Sequence, residues 1–247
     1  MLQCDAKETD ACLTSPQVDT LKRLYAGARN PRTGEQIYPG WPVGSESSYL
    51  GGWAYATKGP EPFRAQFFRD WVFKDAKWDW RSFDWDRDVT TTRERIGPLV
   101  DSVDPDLSAF KKRGGKLIVY QGLADPIVSA YDTVNHFAAI SRTTGDTQDF
   151  ARLFLAPGMG HCRGGDGLNA LDVITALETW VEHGTAPDRI LASAQGPGSA
   201  LGGLATAAQV SEGTPRTRPL CAYPKQAKYT GKGSIEDAKH FVCVAGD

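Results

Sequence analysis

Residues 116–126 read KLIVYQGLADP, and residues 152–162 read RLFLAPGMGHC. Each is a short apolar run that breaks into a turn built from glycine and proline. Each turn carries a side chain able to do chemistry, Asp125 in the first and His161 in the second. The run 116–121, preceded by Gly114 and Gly115, predicts a buried strand, and 152–156 predicts a second. Between them, residues 131–140 space their apolar side chains as a helix does. Strand, helix and strand in that order predict a parallel sheet with crossovers. Open α/β sheets carry their sites at the carboxyl ends of the strands, and Asp125 and His161 both fall at that edge.

An acid after one strand and a histidine after the next repeats the later part of the serine, acid, histidine order of α/β-hydrolases. In that arrangement His161 is the general base toward a hydroxyl and then the acid toward the leaving alkoxide. Asp125 holds the imidazole tautomer and stabilises its charged form. Pro126 fixes φ and sharpens the turn that aims Asp125. The plainer readings are an Asp125 that caps the following turn and a His161 that is a solvated loop side chain. His136, His183 and His240 lack such a setting and read as structural or surface residues. A nucleophile elbow reads G-x-S-x-G after a strand, and the sequence contains no such run. Gly198-Ser199-Ala200 and Gly44-Ser45-Glu46 come closest, but the first follows His161 and neither follows a strand. His161, Cys162 and Asp166 are conceivable metal ligands, yet no Cys or His pair recurs at a zinc spacing. No metal ligand and no cofactor are therefore assigned.

Upstream, residues 14–28 predict a helix with Ser15 as N-cap and Pro16 in its first turn. Residues 30–60, rich in Gly, Pro, Ser and aromatics, read as ordered loop or lid. The rings between Phe67 and Trp85 read as packing at a domain junction, with a carbohydrate or aromatic binding platform as the sharper alternative. Within them 62–73 fits a helix, and WDWRSFDWD alternates like an extended segment. Residues 168–183 predict an amphipathic helix stopped by Gly184, and the tail from Gln195 reads as irregular, stapled by Cys221 and Cys243. Two strands do not make a stable sheet, so the sheet is expected to continue upstream of Met1.

The 247 residues are 40% hydrophobic and 23% charged, a globular composition. The 28 Lys and Arg nearly balance 30 Asp and Glu, for a net charge of -2, which argues against nucleic acid as partner. No stretch approaches the roughly 20 apolar residues of a membrane span. The opening MLQCDAKETD lacks a signal-peptide layout, so the protein is either cytosolic or continued upstream. Cysteines total five, an odd count. Cys4 with Cys12 and Cys221 with Cys243 form two local pairs that would suit an oxidising compartment, leaving Cys162 alone; buried reduced thiols are the alternative.

GLADP and PGMGHC resemble the tannase/feruloyl esterase family. So do CLTSPQVDTLKRLYAGARNPRTGEQIYPGWPVGSE near the start, DPDLSAFKKRGGKLIVYQGLADP in the middle, and RPLCAYP with HFVCV in the tail. The resemblance spans nearly the whole chain. It implies an α/β fold, an incomplete α/β-hydrolase core joined to the C-terminal part of a lid: 1–100 as partial lid, 101–247 as the C-terminal part of the catalytic domain. Asp125 and His161 match the family's triad acid and base. The family's serine follows a cysteine that is disulfide-bonded to the one after the histidine; Cys162 matches the latter, and its partner and the serine would lie upstream of Met1. Cys4–Cys12 and Cys221–Cys243 look like two of the family's local disulfides. The family's lid calcium loop has no clear match. The implied substrate is a small aromatic ester of the gallate or ferulate kind, in a secreted or periplasmic enzyme inactive without its upstream segment. A non-catalytic binding or scaffolding domain is the alternative.

Overall fold

The computed structural model describes Gln3, Cys4, Thr9, residues 11–46, Trp53, residues 62–161, 164–194 and 216–246. The chain divides into two compact units, Met1–Val43 with Tyr55–Ser102, and Gly44–Ala54 with Val103–Asp247. A boundary drawn at residue 100 therefore differs mainly in Gly44–Ala54, which goes with the second unit. There Trp53 Nε1 donates to the buried Ser45 Oγ at 3.1 Å.

In the first unit, helix α1 spans Ser15–Ala26. Its N-cap is Thr14 rather than Ser15: the Thr14 hydroxyl accepts from Gln17 N, and Gln17 Oε1 accepts from Thr14 N at 2.8 Å. This reciprocal box uses the residue three before a glutamine, a spacing that Ser15 does not have. Strands β1 (Ala28–Arg29) and β2 (Gln36–Tyr38) pair antiparallel, β1 beginning at the residue expected to end the helix and β2 falling inside the stretch expected to be loop. Asn30 Oδ1 accepts from the amides of Arg32 and Thr33 and so builds the turn between them. A disulfide joins Cys4 and Cys12.

Residues 62–73 are helical as expected, but only Pro62–Gln66 is an α-turn; Phe67–Phe73 is π-helical. The WDWRSFDWD stretch is not extended. Trp80–Ser82 forms a 3-10 turn capped by Asp79, and helix α2 begins at Arg87 and ends at Arg95. The aspartates explain the error, since Asp79 Oδ1 accepts from Arg81 N and Asp84 Oδ1 from the amides of Asp86 and Arg87. Such local bonds bend a backbone whose alternation alone reads as a strand. Phe68 lies against Phe73, Trp78 and Phe83, so much of the ring density is packing.

In the second unit, strand β3 (Leu117–Gly122), helix α3 (Ala130–Thr144) and strand β4 (Ala151–Ala156) follow the expected order. The strands pair parallel from Leu117 opposite Ala151 to Gly122 opposite Ala156. Both faces are covered. Phe154 and Ala156 join one buried cluster with Leu171, Ile190 and Leu220, while Ala151 and Leu153 join another with Phe137, Ile140 and Phe150. Phe154 and Leu153 are fully buried, and each contributes roughly 2 kcal/mol through apolar area removed from water.

The C-terminal region is more ordered than its composition suggests. The helix expected from residue 168 starts at Val173 as α4 (Val173–His183), because Ala170–Leu171 is strand β5. Strands β6 (Arg189–Ser193) and β7 (Thr217–Cys221) complete an antiparallel sheet in the order β5-β6-β7. The Phe154–Ala222 bridge and a 2.8 Å bond from Tyr223 N to Leu153 O attach the end of this sheet to β4. Sheet is thus added from downstream residues, where the sequence reading expected it upstream. Strands β8 (Lys225–Tyr229) and β9 (Phe241–Ala245) form a final hairpin, and a disulfide joins Cys221 in β7 to Cys243 in β9.

Candidate active site

Asp125 stands three residues past the end of β3, in the turn Leu123-Ala124-Asp125-Pro126, and is 1% exposed. Its two oxygens have different partners. Oδ1 accepts from Ile127 N at 2.8 Å and Val128 N at 3.0 Å. Oδ2 accepts from Gln121 Nε2 at 2.9 Å and meets His161 Nδ1 at 2.7 Å. The turn-capping reading and the histidine-pairing reading of Asp125 both hold, one on each oxygen. Gln121 is itself oriented by Thr133 of α3, whose hydroxyl bonds Gln121 Oε1 at 3.2 Å.

His161 lies on the loop after β4, and the two loops are stitched together through main chain. Leu123 N donates to Ala156 O and Ala124 N to Met159 O, each at 3.0 Å. The seam is tight enough that a Cβ on Gly122 would overlap the carbonyls of Met159 and Gly160. Within the histidine loop, Gly165 has φ 92° and lies against the Gly158 carbonyl, where no Cβ fits. Glycine is required there by both conformation and space. Gly160 N to Gly164 O and Gly167 N to Gly158 O close the loop on itself.

A carboxylate oxygen accepts and does not donate, so His161 Nδ1 carries the proton in the 2.7 Å bond. In the neutral imidazole Nε2 is then the free acceptor. Among the described residues nothing bonds Nε2, and the side chain keeps 37% exposure. A buried acid thus fixes the ring while the opposite nitrogen faces outward, the arrangement of a proton acceptor awaiting a hydroxyl.

The structure brings together Asp125 and His161. Gln121 and Thr133 were not singled out by sequence; the one available signal is a polar residue ending the apolar run just before the acid's turn. Cys162 and Ser199 lie outside the described residues. Ser45 is buried against Trp53. Among the described residues no three His, Cys, Asp or Glu side chains gather as a metal group.

An acid and a histidine closing adjacent parallel strands, with one helix between them, are the arrangement of an α/β-hydrolase-type fold. The chain belongs to the tannase and feruloyl esterase family, whose model matches residues 1–244. That family consists of carboxylic ester hydrolases. Similar proteins include an uncharacterised esterase of Xanthomonas campestris pv. campestris, 35% identical over 99% of this chain and 48% of the relative. A mono(2-hydroxyethyl) terephthalate hydrolase of Piscinibacter sakaiensis is 34% identical over 99% of this chain and 44% of its own length. Among solved structures, feruloyl esterase B from Aspergillus oryzae superposes with a TM-score of 0.82 at 26% identity, over 98% of this chain and 49% of that one. The chain spans about half the length of the curated relatives it matches.

Proposed function

We propose that this chain supplies the acid and base of a serine carboxylic-ester hydrolase that acts on small aromatic esters through an acyl-enzyme. The observation that carries the proposal is the 2.7 Å bond from His161 Nδ1 to a buried Asp125, with Nε2 unbonded among the described residues. His161 Nε2 takes the proton of the attacking hydroxyl and returns it to the leaving alkoxide, and Asp125 steadies the imidazolium formed between these steps. The hydroxyl belongs to a serine supplied from outside these residues, joined to the chain or added as a separate segment. Two facts support this: the sequence has no G-x-S-x-G run, and the chain covers 48% and 44% of two esterase relatives. The aromatic acyl group is inferred from similar proteins, among them the terephthalate-ester hydrolase and the feruloyl esterases. Residues 1–100 serve as part of the lid and 101–247 as the C-terminal part of the catalytic domain. Cys162, by the same family likeness, pairs with a cysteine beside that serine. Secretion or a periplasmic location fits the two disulfides, and no described helix is long and apolar enough to cross a membrane.

The test is hydrolysis of methyl ferulate by the purified chain, alone and with the encoded upstream segment. Turnover is expected only in the second case, and His161→Ala should then lower kcat by about 10⁶-fold. Turnover by the isolated chain that His161→Ala removes would disprove an external serine. Turnover that survives His161→Ala would disprove the assignment of the base.

A further inference from the structure

A cleft of about 570 Å³ opens in the first unit, lined by Asp70, Trp71, Val72, Lys74, Arg95, Ile96 and Leu99. Its volume lies within the few-hundred to roughly 1,000 Å³ range of small-molecule sites. Several independent features converge on it. One wall is the π-helical turn Phe67–Phe73, a rare geometry that recurs at functional sites. Lys74, which ends that turn, has φ 53°, the left-handed region, and is the one non-glycine residue there among those described. Such outliers cluster at ligand clamps. Trp71 is 57% exposed and Leu99 79%, so an aromatic ring and an aliphatic side chain stand open to solvent beside the buried floor of Val72 and Ile96.

The charges decide what fits. Asp70 is held by Arg69 through bonds of 2.7 and 3.0 Å, so its carboxylate is matched where it stands. Lys74 makes no ion pair among the described residues. Arg95 uses one donor on Val72 O at 3.1 Å and has no acidic partner among them. The lining thus combines two cations without an acidic partner among the described residues and an indole that is more than half exposed. We propose that this cleft binds a small aromatic carboxylate, its ring on Trp71 and its anion between Lys74 and Arg95. The proposal needs nothing from Asp125 or His161 and stands whether or not the hydrolase reading does.

The test is calorimetric titration of the whole chain with 4-hydroxycinnamate and with its neutral amide. The carboxylate should bind about tenfold tighter than the amide, and the difference should shrink at high salt. Lys74→Gln should weaken the carboxylate about tenfold and leave the amide unchanged. Leu99→Glu, at a position exposed enough to tolerate it, should do the same by repulsion, which covers the case of a misfolded Lys74 variant. Trp71→Phe should remove the quenching of tryptophan emission that accompanies binding. Equal binding of acid and amide would overturn the proposal, as would Lys74→Gln and Leu99→Glu variants that bind like the wild type. Loss of binding in His161→Ala but not in Lys74→Gln would move the ligand to the histidine and also overturn it.

Discussion

Replacing Gly122 by alanine puts a methyl group into the seam that holds the acid loop against the histidine loop. Its Cβ meets the carbonyls of Met159 and Gly160, which are backbone atoms and have no rotamer by which to withdraw. Restoring ordinary contact takes a separation of roughly 1 Å, judged from the overlap with those carbonyls. That shift stretches the 3.0 Å bond from Ala124 N to Met159 O beyond hydrogen-bond range. The lost bond costs about 1 kcal/mol and the overpacking about 1–3 more. A domain of this size loses roughly 2–4 °C of Tm per kcal/mol, so the variant should melt about 5–15 °C lower. The control is Gly97→Ala, whose Cβ meets only the movable end of the Asp101 side chain and should stay within about 0.5 kcal/mol of wild type. Proton NMR follows the site itself, because the Nδ1 proton of His161, bonded to Asp125 Oδ2, is strongly deshielded and should broaden or vanish. A Gly122→Ala protein that melts with the control and keeps that resonance would refute the claim that backbone proximity sets the acid–histidine distance.

Two further outcomes follow from charge and cross-linking. Hydrogen bonds from Arg32 and then Asn30 hold Asp86 down to about 2 from an ordinary value near 3.8. A depressed carboxyl stabilises the folded state above its unfolded pKa, and the contribution disappears as pH falls through the folded one. Acid titration between pH ~4 and ~2 should therefore show a steeper stability loss in wild type than in Asp86→Asn, and identical slopes would contradict the assignment. Reducing Cys221–Cys243, separated by 22 residues, or replacing both with serine, should cost about 3 kcal/mol in urea denaturation.

The central part of the chain was legible because its signals are local. An apolar run bounded by glycines, a helical spacing and a second run specify β3, α3 and β4, and the strand ends specify where Asp125 and His161 stand. The C-terminal strands were not legible for the opposite reason. The β8 sequence, KQAKY, is largely exposed and polar, and it is a strand because β9 pairs with it and a disulfide anchors β9 to β7. Likewise β6 alternates over only five residues and depends on β5 and β7 for its bonds. In the first unit, aspartate side chains that bond nearby amides turned an alternating pattern into a 3-10 turn and a helix start. Gln121 was hidden by its place in the strand; only α3 folding back over β3 shows that it supports the acid.

The separate partners of the two Asp125 oxygens give this residue a built-in way of dissecting itself. Asparagine at 125 can still present a carbonyl oxygen to the amides of Ile127 and Val128, so the turn survives, while the amide nitrogen it then offers cannot accept the proton of His161 Nδ1. Alanine removes both. The difference between the two variants measures how much of the aspartate's worth is architecture, and what remains belongs to the bonds that Gln121 and His161 make to the other oxygen.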